Sequence, residues 1–361
     1  MISFIHSGDI HLGMKFKNAS FGADKGKARR EELWQSFGDM IEYAIKTRKD
    51  LVLISGDLFE DGSSTLKNIK RLKDTLGTAK NQHIVILPGN HDPVTSESPY
   101  LGDDWPDNVT ILNQNGLQHV FIEKIKTSVW GIGALRNEGE LKSELEKIKL
   151  VKGHKNILML HGEFGSNGDY PLPKVEELKR LTMDYIALGH IHSPEFIHKN
   201  IAYCGSLEPL DFGETGHRGF IEGELSNEGS YRFVNFAKRN FHIIEIEITK
   251  EMTIEKIVDE LMLSTGENRN CNFYRVVLTG ISPLFIDMKA LETRFKREVY
   301  HLELIDRSVP DIDLEKISYE NRGNILGMYI DSFSDEDFDD SVKKDAFYAG
   351  IYALLEGSDL V

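Results

Sequence analysis

Leu51-Val52-Leu53-Ile54-Ser55-Gly56-Asp57 is an apolar run that ends in a glycine and an acid. Five residues of this kind read as a strand buried on both faces, the pattern of a parallel sheet covered by helices. The pattern recurs outward along the chain. Ile2–His6 leads to Asp9-Ile10-His11, and Ile84–Leu87 leads to Gly89-Asn90-His91-Asp92. Ile157–Leu160 leads to His161-Gly162, and Tyr185–Leu188 leads to Gly189-His190-Ile191-His192. Between the first three runs, Lys27–Arg48 and Leu66–Thr78 carry apolar residues such as Leu33, Phe37, Met40, Ile41 and Ala44 at helical spacing. After His192 the runs are short and strand-like: Phe196–Ile197, Ile201–Cys204, Phe220–Leu225 and Tyr231–Phe236. The expected fold is α/β, a sandwich of sheet layers flanked by helices.

The chain has 361 residues, 40% hydrophobic and 28% charged, which excludes a disordered or collagen-like chain and leaves room for two domains. No apolar run reaches the roughly 20 residues of a membrane helix, so no membrane partner is expected. The two cysteines, Cys204 and Cys271, are far apart, which argues against a disulfide scaffold or a zinc–cysteine site and for a cytoplasmic location. Past Phe236 the pattern changes to β-α-β-α-β over Ile243–Ile248, Ile254–Leu263, Phe273–Leu278, Met288–Phe295 and Tyr300–Ile305. This places a boundary near Arg239–Asn240, with a main domain over 1–240, a smaller α+β capping domain over 241–310, and a helical tail over 311–361. Charge divides at the same place. Residues 1–240 carry 30 Lys and Arg against 33 Asp and Glu, whereas 241–361 carry 13 against 25. The net charge of −15 therefore sits mainly in the last third, and a local basic groove on the first part is compatible with it.

The chemistry-bearing residues fall at the C-terminal ends of successive strands, where an α/β sheet builds its site. One Asp-x-His alone reads as a helix-capping turn, and one His-x-His as an ordinary pair. Five strand ends in order, supplying Asp, Asn and His together, would place several carboxylates and imidazoles at one sheet edge. That is costly without counter-charge, and divalent cations remove the cost. Mixed oxygen and nitrogen donors suit manganese, iron or zinc better than calcium or a thiophilic metal.

The order D-x-H, G-D, G-N-H-D, H-G and G-H-x-H resembles that of the calcineurin-like metallophosphoesterase superfamily. The stretch Gly205-Ser206-Leu207-Glu208-Pro209-Leu210-Asp211-Phe212-Gly213 is similar to that of its SbcD/YhaO-type DNA-repair exonucleases. The resemblance implies a two-metal centre, with Mn2+ first and Fe2+, Zn2+ or Mg2+ as alternatives. Asp9, His11, Asp57 and His192 would hold one ion; Asp57, Asn90, His161 and His190 the other. It implies in-line attack of a hydroxide on a phosphodiester, with His91 as a catalytic non-ligand histidine and Asp92 orienting its ring. It also implies DNA as substrate and an ATPase of the structural-maintenance-of-chromosomes type as partner, and leaves a homodimer open. One position departs: the resembled archaeal and eukaryotic nucleases carry a histidine three residues after the bridging aspartate, and here Glu60 stands there. That loses an imidazole that would help to seat a duplex end.

The basic stretch Lys25, Lys27, Arg29 and Arg30 is a candidate DNA contact, because cations at a helix start oppose its dipole and call for compensation from outside. In the tail, Ser334-Asp335-Glu336-Asp337 reads as an N-cap with acids in the first turn. Phe338, Val342, Ala346, Ala349 and Ala353 mark one apolar face, and Ile325, Met328, Tyr329 and Phe333 another. These faces either pack on their own chain or dock the partner. The rival functions are a metallophosphoesterase acting on a small nucleotide or another phosphodiester and a metal-stabilised scaffold without turnover.

Overall fold

A computed structural model describes residues 1–16, 21–60, 62–63, 65–96, 98–102, 104–112, 116–165, 168–226, 228–282, 287–333 and 341–358. The chain divides into two compact units: Met1–His242 with Cys271–Phe273, and Ile243–Asn270 with Tyr274–Val361.

The first unit contains strands β1 (Ile2–Ser7), β2 (Leu51–Ser55), β3 (His83–Leu87), β4 (Val109–Ile111), β5 (Gln118–Ile122), β6 (Thr127–Ile132), β7 (Lys155–His161), β8 (Glu163–Phe164), β9 (Pro171–Leu172), β10 (Tyr185–Gly189), β11 (Glu195–His198), β12 (Ile201–Tyr203), β13 (Gly219–Leu225) and β14 (Ser230–Asn235). Twelve of them form two six-stranded sheets, ordered β14-β13-β1-β2-β3-β4 and β11-β12-β10-β7-β6-β5, and β8 pairs with β9. β1 to β4 run parallel, as do β6, β7, β10 and β12. The sheets bury their facing sides against each other. Phe4, Leu51, Leu53, Val85 and Ile221 from the first meet Val129, Ile157, Met159, Tyr185 and Ala187 from the second in one core. Alternate residues point outward and are equally buried, for example Ile5, Val52, Ile54 and Ile86, which is why the strands read as continuous apolar runs.

Helices α1 (Gly22–Lys46), α2 (Leu66–Gly77), α3 (Glu138–Leu145) and α4 (Val175–Arg180) complete the unit. α1 buries Leu33, Trp34, Phe37, Met40, Ile41 and Ala44, the face the spacing predicts. Its Tyr43 packs on Phe220, whose neighbour Ile221 lies in the inter-sheet core, so α1 lies on the outer side of the first sheet. α2 starts where Thr65 caps Asn68 N–H. Leu141, Leu145 and Leu178 of α3 and α4 cover the outer side of the second sheet.

The second unit holds all but the first residues of β15 (Phe241–Ile248) and β16 (Phe273–Ser282), with α5 (Ile254–Thr265), α6 (Met288–Phe295), β17 (His301–Asp306) and β18 (Val309–Pro310), followed by α7 (Leu314–Glu320), α8 (Ile325–Ile330) and α9 (Ser341–Ser358). Its sheet runs β15-β16-β17, with β18 parallel to β16, over a core of Ile257, Leu261, Val276, Leu278, Leu291 and Phe295. The last three helices gather around Leu326, Phe347 and Ile351. The acidic run Asp335–Asp340 and the cap expected at Ser334 lie outside the described residues. Among the described residues, no helix is long and apolar enough to cross a membrane.

Within the basic stretch of α1, Arg29 needs correction. Arg29 is fully buried, and its guanidinium donates to Glu208 Oε2 from both Nη atoms at 3.1 Å, to Glu32 Oε2 at 2.7 Å and to the Pro209 carbonyl at 2.9 Å. Arg30 donates to the Met14 and Lys15 carbonyls. The compensation for Arg29 and Arg30 is thus internal, and Arg29, fully buried, is out of reach of a phosphate. Lys27 is exposed and Lys25 half-buried. Glu208 also accepts from Ser36 Oγ and Lys238 N–H, so the pair joins α1 to the segments after β12 and β14. Removing one partner leaves a buried charge unpaired. Arg29→Ala is expected to lower unfolding free energy by about 3–5 kcal/mol in urea denaturation, and Lys27→Ala by less than about 0.5 kcal/mol.

Candidate metal centre

The register β1–β2–β3 brings the ends of three parallel strands to one edge, where the loops that follow are laced together. Asp9 N–H donates to the Gly56 carbonyl at 3.1 Å, and Ile10 and His11 N–H donate to the Asp57 carbonyl at 2.9 and 3.0 Å. The second sheet joins through His161 Nδ1, which donates to the Ser55 carbonyl at 2.9 Å, and through His190 N–H, which donates to both Asp9 carboxylate oxygens at 3.0 Å. Eight non-glycine residues have positive φ among the described residues. Four of them are Asp9 (47°), His11 (50°), Asp57 (48°) and His190 (96°), so half of this strain is concentrated at one edge. Gly56 adopts φ +97°, and a Cβ there would collide with the His161 ring. A Cβ at Gly89 would collide with the Asp57 carboxylate.

All seven residues expected as ligands come together. Asp9, His11 and His192 offer donor atoms within 4.8 Å of one another, as do Asp57, His161 and His190. Asn90 Oδ1 lies 2.9 Å from His161 Nε2 and 3.1 Å from His190 Nδ1. Asp57 Oδ2 faces both groups, 3.3 Å from His161 Nε2 and 3.9 Å from His11 Nε2, while Oδ1 accepts the His91 N–H at 2.8 Å. His11 donates Nδ1–H to Glu60 Oε2 at 2.8 Å, and His192 donates Nδ1–H to Glu214 Oε1 at 2.6 Å. A carboxylate only accepts, so both Nε2 atoms are left with lone pairs, and they face each other at 3.2 Å. A proton or a metal cation has to lie between them. The donor set is oxygen and nitrogen without sulfur, and it fits a divalent ion.

The proton affinities show the same demand for positive charge. Burial pushes the Asp57 carboxyl up, but His161 and His11 beside it outweigh this and hold it well below the usual range. Burial lowers His161, but Asp57 raises it further, to about 9. His192 is lowered by burial and raised by Glu214 and Asp9, again to about 9. His190 is pushed down to about 4 by burial and by the charge on His161, so its ring is neutral.

His91 stands beside this cluster. Its ring packs edge-on to His11, its Nδ1 lies 3.7 Å from Glu60 Oε1, and its side chain is 36% exposed. Asp92 differs from expectation. Its carboxylate accepts from Gly89 N–H at 2.7 Å, Phe59 N–H at 3.1 Å and Tyr100 Oη–H at 2.6 Å, and so clasps the loops after β2 and β3. It thereby fixes the turn that carries Asn90 and His91 and does not aim at the His91 ring. Sequence reasoning missed Glu214 and Tyr100. Glu214 follows directly on the Gly205–Gly213 stretch, which was its only signal.

A family model described as calcineurin-like phosphoesterase matches residues 2–194, just over half of the chain. The chain belongs to this family. It is a metal-dependent phosphodiester hydrolase by that membership. The phosphoesterase is 24% identical to the metallophosphoesterase YhaO of Bacillus subtilis, over 99% of this chain and 88% of that one. It is 26% identical to the DNA double-strand break repair protein Mre11 of Methanococcus maripaludis, over 99% and 96% of the two chains. It is 24% identical to a subunit of the nuclease SbcCD of Escherichia coli K12, over 89% and 86%.

When a chelator strips the phosphoesterase of metal, His161 and His192 carry the compensating charge as protons. Both rings are raised from 6.5 to about 9, so the stability they contribute is complete below pH 6.5 and lost as pH rises through 9. The melting temperature of the stripped chain is expected to fall between pH 7 and 9.5. Saturating divalent metal should abolish that fall, as thermal scans across this range will show.

Proposed function

We propose that the chain is a two-metal phosphodiesterase that cuts DNA in repair, as an exonuclease, a single-strand endonuclease or both. The observation that carries it is Asp57 Oδ2, placed between two groups of nitrogen and oxygen donors. In this reading Asp9, His11, Asp57 and His192 hold one ion, and Asp57, Asn90, His161 and His190 the other, with manganese the first candidate. Bound there, the ions would lower the pKa of a water and neutralise the phosphate oxygens. His91, open to solvent beside the cluster, donates a proton to the leaving oxygen. Asp92 and Tyr100 hold the His91 turn in place. DNA as substrate is supported by the relatives named for double-strand break repair and as part of a nuclease.

Asp57→Ala is expected to abolish hydrolysis of an aryl phosphodiester and to bring bound metal below one ion per chain. His91→Ala should keep two ions and lose about 10²–10⁴-fold in turnover. Loss of an ion in His91→Ala would refute its role as a non-ligand. Cleavage of linear duplex, plasmid and single-stranded DNA, with manganese and with chelator, decides the substrate. Aryl ester turnover without any DNA cleavage would favour a small nucleotide substrate.

The same reading assigns the last three helices to docking a structural-maintenance-of-chromosomes type ATPase. α7, α8 and α9 bury one side around Leu326, Phe347 and Ile351 and leave Tyr319, Ile325, Met328 and Val342 exposed. Such a face matches helix-in-groove or coiled-coil association. The double variant Ile325→Asp, Met328→Asp should abolish co-purification with that ATPase and preserve aryl phosphodiester turnover. Loss of turnover would place these helices in the catalytic core.

A further inference from the structure

The two donor groups differ in what stands behind them. In the group of Asp9, His11 and His192, both imidazoles lean on carboxylates at hydrogen-bond distance, Glu60 at 2.8 Å and Glu214 at 2.6 Å. Glu214 is itself fixed by Ser206 Oγ–H at 2.9 Å and Leu210 N–H at 3.2 Å. In the other group, His161 leans on the neutral Ser55 carbonyl, Asn90 is an uncharged amide, and His190 Nε2 lies 3.9 Å from the nearest carboxylate oxygen described for it, on Glu163. The first group also owns a full carboxylate in Asp9, whereas the second has only its share of Asp57. A carboxylate on the far nitrogen locks an imidazole in the ligating tautomer, orients the ring and raises its basicity as a ligand. Two such carboxylates act on one position and none at that distance on the other.

We infer that the two metal positions are unequal, and that this rests on the two-ion reading above. The position of Asp9, His11 and His192 fills first and holds its ion more tightly, with Glu60 and Glu214 as positioning residues. The position of Asn90, His161 and His190 fills second. Glu60 thereby acquires a function of its own in this chain. A histidine in its place would put a neutral or cationic ring behind His11 where a carboxylate now stands.

The test is a manganese titration of the metal-stripped full chain, with free Mn2+ read from its electron paramagnetic resonance signal. Two binding steps separated by about tenfold or more are expected. His161→Ala should remove the second step and keep the first. Glu60→Gln retains an acceptor but no charge, and should weaken the first step by about tenfold; Glu60→Ala should weaken it further. Glu214→Gln should act like Glu60→Gln. In Glu60→Gln the second step should keep the affinity of the parent, because a merely structural loss would weaken both steps alike. Two steps of equal affinity, loss of the first step in His161→Ala, or an unchanged first step in both glutamine variants would each overturn the inference. No manganese binding by the parent chain would instead overturn the two-ion reading itself.

Discussion

The Asp57 carboxylate sits buried at the end of one of the two central strands of its sheet, where an ionised group needs positive charge beside it. Its Oδ1 takes the His91 amide, and its Oδ2 is left to face His161 and His11 from opposite groups. Much of the surrounding geometry serves that demand. Asp9, His11, Asp57 and His190 hold left-handed backbone conformations, and Gly56 and Gly89 keep side chains out of the way of His161 and Asp57. The strain is maintained by the laced loops after β1 and β2 and by the cross-sheet bonds from His161 and His190.

Around this centre the carboxylates are sorted by direction. Glu60 and Glu214 face the outer nitrogens of histidines and lend them basicity. Asp92 turns away and spends its oxygens on backbone amides and Tyr100. Glu208 neutralises Arg29 further off and anchors α1. Each acid is close to the site in sequence or in space, yet only its hydrogen-bond partners separate histidine support, loop clasp and helix anchor.

The fold was legible where parallel strands are buried on both faces, because such strands are uninterrupted apolar runs. β1, β2, β3, β7 and β10 follow the runs that precede each Asp, Asn or His motif. β4, β5 and β6 were not legible: β5, Gln118–Ile122, is an edge strand that is mostly part-exposed and carries polar residues. The convergence of the seven candidate ligands was legible in part for the same reason, since the parallel strand ends of each sheet must meet at one edge, whereas the apposition of the two edges is set by the packing of the sheets. Their supports were not. Glu60 reaches His11 across 49 positions, Glu214 reaches His192 across 22, and Glu208 reaches Arg29 across 179, separations that carry no local signal. The resemblance implies Asp92 as the orienter of His91, but consecutive side chains leave the backbone in different directions, and the Asp92 carboxylate faces Gly89, Phe59 and Tyr100.

The central claim is that Asp57 bridges two ions. Electron paramagnetic resonance of the chain loaded with two manganese ions tests it directly, because two ions sharing a carboxylate about 3.5–4 Å apart couple magnetically. The account predicts the spectrum of a coupled pair, replaced by that of isolated ions in Asp57→Asn. A spectrum of isolated ions only, from the parent chain at two ions bound, would contradict it.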